Sequence, residues 1–126
     1  MPFLFRFYLC NMYQKKIPVS LNCGLDIVAE VLYGKWKIRL LYFIQEGSKR
    51  PSELQRKIPD ATRRVLDMQL KELEKHELIY KTIYPQVPPK VEYNLTDLGL
   101  SLMPVINAIG TWGDENQEQL RAAIDK

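Results

Sequence analysis

Arg64, Met68, Lys71 and Lys75 follow one another at intervals of four, three and four residues. In a helix turning 100° per residue they share one side, with Asp67 on its flank. Leu66, Leu70 and Leu73 recur at i, i+4 and i+7, roughly opposite. A helix anchored by leucines and presenting a largely basic outer face can enter a DNA groove. There, cations meet phosphates and an arginine can bond the two acceptors of guanine. The same pattern also describes an ordinary solvated helix face, so the neighbouring elements must decide.

Other chemistries find less support. The chain has two cysteines and one histidine; no second Cys or His stands at zinc-ligand spacing from Cys10 or Cys23, and there is no Gly-rich phosphate loop. No catalytic residue, metal or cofactor is expected, and His76 reads as a helix-end residue. Two cysteines are too few for a disulfide framework, so a reducing, cytoplasmic setting is expected. At 126 residues, 46% hydrophobic and 26% charged, the chain is long enough for one domain with its own core. The net charge of +3 says little by itself, but residues 1 to 92 carry 16 Lys/Arg against 10 Asp/Glu, and residues 93 to 126 carry 2 against 5. The basic surplus belongs to the part that holds the candidate helix.

Three segments are expected: an arm over residues 1–21, a folded domain over 22–113 and a polar helical tail over 114–126. The apolar opening MPFLFRFYLCNMY is too short to span a bilayer, carries Arg6 and lacks a signal-peptide pattern, so no membrane association is expected. It reads as a docked arm or as an extension upstream of a later start at Met12. Leu25 to Tyr33 has the spacing of a short helix ended by Gly34. Lys35 to Gln45 forms a second, closed by Gly47, with Trp36, Leu40, Phe43 and Ile44 on one side. Ser52 is the expected cap of a third helix, with Gln55 closing a capping box and Pro59 stopping it. Thr62 is the expected N-cap of the basic helix. Two short helices joined by a tight turn form a helix-turn-helix. Residues 78–84 and 91–95, rich in β-branched and aromatic side chains, flank the proline-stiffened loop 85–90 and form a hairpin, or wing. Thr96 caps a last helix to about Trp112, which Gly113 breaks. The fold expected is mainly α with a small β-hairpin, a winged helix-turn-helix.

The order of these elements resembles the HxlR-type winged-helix transcription regulators over about residues 22–113. The resemblance is carried by Cys23 before an amphipathic helix, Gly34-Lys35-Trp36, Ser52-Glu53-Leu54, Ile58-Pro59, Leu70-Lys71-Glu72-Leu73-Glu74, the run Tyr84-Pro85-Gln86-Val87-Pro88-Pro89-Lys90-Val91-Glu92-Tyr93, and Leu95-Thr96-Asp97-Leu98-Gly99. It implies a homodimeric regulator bound to a double-stranded DNA operator. The dimer interface would come from the first and last helices, here Leu25, Val28, Leu102, Val105, Ile106, Ile109 and Trp112. Two-fold symmetry then implies a roughly palindromic operator. Some members sense oxidants or electrophiles through an N-terminal cysteine, which Cys23 matches; a buried, inert thiol is the alternative. The chain departs from the family pattern at His76-Glu77, where Asp-Gly is usual, at Asp60 and Gly24, and at Asp67 on the reading helix.

Within that frame Arg64, Asp67, Met68 and Lys71 lie closest to base edges. Arg63 and Lys75 would meet phosphates, as would Lys90 from the wing and Lys49 and Arg50 ahead of the first helix of the motif. Asp67 either reads a cytosine amino group or pairs with Arg63, Arg64 or Lys71. A winged helix can also serve as a protein-interaction module that never touches DNA.

Overall fold

The computed structural model describes residues 21–126, and the chain divides between Tyr33 and Gly34 into two compact units. The first holds helix α1 (Gly24–Val31), entered from an extended Cys23 at its N-cap. Most of the expected arm lies outside the described residues. In the second unit come α2 (Lys37–Gln45), α3 (Pro51–Lys57), α4 (Arg63–Lys75), strands β1 (Ile79–Tyr84) and β2 (Lys90–Leu95), then α5 (Asp97–Glu115) and α6 (Gln117–Ile124). The strands pair antiparallel from Ile79 with Leu95 to Tyr84 with Lys90. This is the winged helix-turn-helix expected from the sequence. No helix among the described residues is long and apolar enough to cross a membrane.

The core of the second unit draws on nearly every element. Leu40, Leu41 and Ile44 come from α2, Leu54 from α3, and Ile58 and Ala61 from the turn. Leu66, Leu70 and Leu73 come from α4, Leu78, Ile79 and Tyr93 from the base of the hairpin, and Met103 and Ile106 from α5. Each fully buried leucine stabilises the fold by about 1.5–3 kcal/mol. Trp36, placed by its spacing on the side of Leu40 and Ile44, is only half-buried, with Lys35 Nζ 5.0 Å and the Arg39 guanidinium 5.7 Å from its ring centroid. The next residue is buried instead. Lys37 is 2% exposed, and its ammonium lies 2.7 Å from Glu72 Oε1. An amphipathic pattern does not anticipate a buried lysine, because the charge is tolerated only where a partner waits.

The start of α3 also differs from expectation. Pro51 occupies the first turn, where its fixed φ fits and its missing N–H costs nothing, so the helix begins before Ser52. Glu53 then reaches back, and its Oε1 accepts from the backbone N–H groups of Arg50 (2.9 Å) and Lys49 (3.0 Å). The Arg50 amide bond above all holds the Glu53 carboxyl below its ordinary pKa. Gln55 closes no box. Its amide donates forward to the carbonyls of Ile58 and Ala61 and so pins the turn into α4.

At the far end of α4 the backbone makes a complete Schellman closure. Leu78 N–H bonds the Leu73 carbonyl and Glu77 N–H bonds that of Glu74, both at 3.0 Å. This requires a left-handed residue at Glu77, whose φ is +63°. The Thr96 hydroxyl donates to the Glu77 carbonyl at 2.6 Å and holds the turn in place. A β-carbon in this region costs about 1–2 kcal/mol, partly offset in glycine by its greater freedom when unfolded. Glu77→Gly is therefore expected to stabilise the protein by about 1 kcal/mol, read from denaturant midpoints at constant slope. A variant no more stable than wild type would show that Thr96 has already relieved the strain.

Helix α5 does not break at Gly113. It runs on to Glu115, and the Asn116 side chain donates to the Trp112 carbonyl at 2.9 Å. One interior glycine costs only about 1 kcal/mol.

Candidate nucleic-acid interface

Helix α4 starts where its cap predicts, with Thr62 Oγ1 accepting from Val65 N–H at 3.1 Å. The leucine stripe is at most 1% exposed, so the helix cannot roll without emptying the core. Three further ties fix its position, and none was legible as such in the sequence. Gln55 holds the turn that precedes it, Trp36 N–H donates to Gln69 Oε1 at 2.9 Å, and Lys37 pairs with Glu72. Gln69 and Glu72 thus support α4 from its flank and leave the outer side free.

That outer side carries the residues expected there. Arg64, Lys71 and Lys75 are exposed and, among the described residues, have no acid within salt-bridge distance. Met68 is 50% exposed between them. Arg63, Arg64, Asp67, Met68 and Lys71 line a shallow depression along this surface. Among the partners open to Asp67, the free protein uses Arg63, with Nε 3.1 Å from Oδ1 one helical turn away.

The wing brings a second basic group alongside. Tyr93 N–H donates to the Lys49 carbonyl at 2.8 Å, which ties the segment before α3 to β2. Arg50, Pro51, Ser52, Arg63, Pro88, Pro89 and Lys90 are among the residues around a cleft of about 280 Å³ at the wing base. Beside it stands Glu92, a residue the sequence reading did not place in the site. Its carboxylate lies 3.5 Å from Lys90 Nζ and 4.0 Å from Arg50 Nε, and it accepts a 3.2 Å hydrogen bond from the Tyr84 hydroxyl. That bond raises the Tyr84 pKa above its ordinary value. Lys90 also sits 4.7 Å over the Tyr84 ring. The Lys90–Glu92 half of this group could have been found, since residues two apart on a strand share a face. Arg50, forty residues earlier, could not.

In the first unit, Cys23 is a half-buried free thiol before α1. Leu25 and Val28 on α1 are exposed. On α5, Leu98, Val105, Ile109 and Trp112 are exposed and Leu102 is half-buried. Ile106, expected with them at a dimer interface, instead faces its own core at 2% exposure. The helix turns Met103 and Ile106 inward and leaves the 98–102–105–109–112 stripe outside. His76 caps the end of α4, and its buried Nδ1 has no hydrogen-bond partner among the described residues. Among the described residues no group of three or more His, Cys, Asp or Glu could hold a metal.

Comparison with known proteins agrees with this geometry. Residues 31–121 match the HxlR-like helix-turn-helix family model. The HTH-type transcriptional regulator YkvN of Bacillus subtilis (strain 168) is 47% identical over 98 residues, which span 78% of this chain and 83% of YkvN. Among solved structures, the redox regulator HypR in its reduced form superposes with a TM-score of 0.75 at 39% identity, covering 79% of this chain and 99% of that one. Its oxidised form gives 0.71 at 41%, covering 75% and 97%. The chain belongs to the HxlR-like helix-turn-helix family of DNA-binding transcriptional regulators.

Proposed function

We propose that this regulator binds a roughly palindromic operator as a homodimer, with α4 reading bases in the major groove and the wing base holding the backbone. The observation that carries the reading is the outer side of α4, where Arg64, Lys71 and Lys75 stand exposed and, among the described residues, without acid partners, on a helix whose inner side is locked. Arg64 is the candidate for bidentate contact with guanine, and Met68 offers an apolar contact to a thymine methyl. Lys71 lies between base edges and groove wall, and Asp67 reads cytosine only if it leaves Arg63. Arg63, Lys75, Lys90, Lys49 and Arg50 contribute phosphate contacts, which position the protein without selecting a sequence.

Salt separates this reading from a protein-interaction module. If a dimer neutralises about six phosphates, its DNA affinity falls by about 10³-fold between about 50 and 200 mM salt. An interaction indifferent to salt would instead indicate apolar docking to a protein.

For the dimer, the support is the α5 stripe of Leu98, Leu102, Val105, Ile109 and Trp112, spaced four, three, four and three residues apart as in a helix-packing seam. On α1, Leu25 is 83% exposed and Val28 40%. The wild-type protein is expected to sediment as a dimer at micromolar concentration, and the double variant Val105→Asp, Ile109→Asp as a monomer. A monomeric wild type would remove the interface and the palindrome together.

The kinship with a redox regulator, together with a partly exposed Cys23, supports a thiol switch. A two-electron oxidant would join the Cys23 sulfurs of two protomers in a disulfide, taking two electrons and releasing two protons; an electrophile would instead alkylate the thiolate. Cys23→Ser is expected to abolish any oxidant-dependent change in DNA binding, and a response that persists would place the switch elsewhere.

A further inference from the structure

The cations of this surface fall into two classes. Arg64, Lys71 and Lys75 on the reading helix have no acid partner among the described residues, whereas every cation lining the wing cleft has one. Arg63 is paired with Asp67, and Arg50 and Lys90 share Glu92. Glu92 is also the best held of the acids involved. The Tyr84 hydroxyl occupies its Oε1, while Oε2 faces Lys90 and Arg50. Its side chain is 21% exposed, against 28% for Lys90 and 48% for Arg50. A carboxylate held beside this cleft gives Arg50 and Lys90 an anion of the kind a backbone phosphate would offer them.

Resting on the DNA reading above, we propose that Glu92 is an internal stand-in for a DNA phosphate, which Arg50 and Lys90 release when the duplex docks. Partly exposed ion pairs are weak, so the exchange is readily made. It is not neutral, however, because the displaced carboxylate stays beside the incoming phosphate. Arg50 and Lys90 therefore add less to sequence-independent affinity than their charges would suggest. The reading helix, with its unpaired cations, carries a correspondingly larger share of the binding. Glu92 is in this sense a positioning residue that acts through two cations and touches no base.

The test measures the full-length protein on two duplexes of equal length, an operator recovered by selection and an unrelated sequence, across a series of salt concentrations. Glu92→Gln is expected to bind both duplexes tighter by about fivefold at low salt, a gain that salt screens. Its log affinity should fall more steeply with log salt, by about one unit of slope. Glu92→Thr faces Thr82 across the hairpin, suits a strand and removes the same charge, so it should show the same gain even if glutamine is poorly accommodated. In an Arg50→Gln, Lys90→Gln background the gain should shrink to about twofold or less, the screened repulsion between Glu92 and phosphate that remains, whereas a merely structural role for Glu92 would leave the gain unchanged. If the wild type binds and neither folded Glu92 variant binds tighter, or if the full gain survives without the two cations, the assignment of Glu92 is wrong and the DNA reading stands. If the wild type binds neither duplex, the DNA reading fails and takes this proposal with it.

Discussion

Replacing Gly99 with alanine is expected to lower the melting temperature by about 10 °C or more, because Gly99 is the glycine whose added β-carbon would meet backbone. Gly99 lies in the first turn of α5, where the Thr96 hydroxyl accepts its N–H at 3.0 Å. A β-carbon there would run into the backbone carbonyl oxygen of Leu78. That oxygen is not free to move, because it accepts from Thr96 N–H at 3.1 Å, beside the left-handed turn at Glu77. Overpacking a well-packed core costs about 1–3 kcal/mol, and where the obstacle is pinned backbone the upper end applies. The loss would also be functional. The contact joins the end of the reading helix to the start of the wing and to the helix that carries the exposed apolar stripe. A Gly99→Ala variant melting within about 2 °C of wild type would show that α5 can shift away from β1 at little cost.

Arg64→Ala should have the largest effect on recognition. The loss of one bidentate guanine contact is worth about 1–3 kcal/mol, or about 5- to 150-fold in operator affinity, and selectivity at one position of each half-site should relax. Because Arg64 is exposed and makes no salt bridge or side-chain hydrogen bond among the described residues, stability should hardly change. Lys90→Ala provides the contrast, weakening operator and unrelated DNA alike. Footprinting with both variants distinguishes the roles. If both bind the operator as wild type does, α4 is docked differently from the arrangement proposed here.

The two variants also mark where the chain was legible. Periodicity exposed α4, since Leu66, Leu70 and Leu73 can be buried together only on a helix, and Thr62 marked its start. The hairpin was equally plain, because β-branched and aromatic runs flank a proline loop. Local chemistry misled at two helix ends. Ser52 looked like a cap, but Pro51 is preorganised for the first turn and moves the start of α3 back. Gly113 looked like a break, but a helix already committed on both sides continues through a single glycine. The polar ties remained out of reach for a different reason. Lys37 with Glu72 and Glu92 with Arg50 each join residues whose nearness is created by the fold, while the forward reach of Gln55 to the turn carbonyls depends on how the chain leaves α3. A sequence shows only that such groups exist. Ile106 was misplaced because a 3.6-residue period does not say which of two adjacent apolar stripes faces inward, and α5 has both.

Selection of bound fragments from genomic DNA, followed by sequencing, tests most directly whether α4 reads a sequence. A dimer reading through α4 enriches a single motif with two-fold related halves about one helical turn apart, or a multiple of it, and Arg64→Ala selected in parallel relaxes one position in each half. A wild-type selection that enriches no motif would contradict this reading.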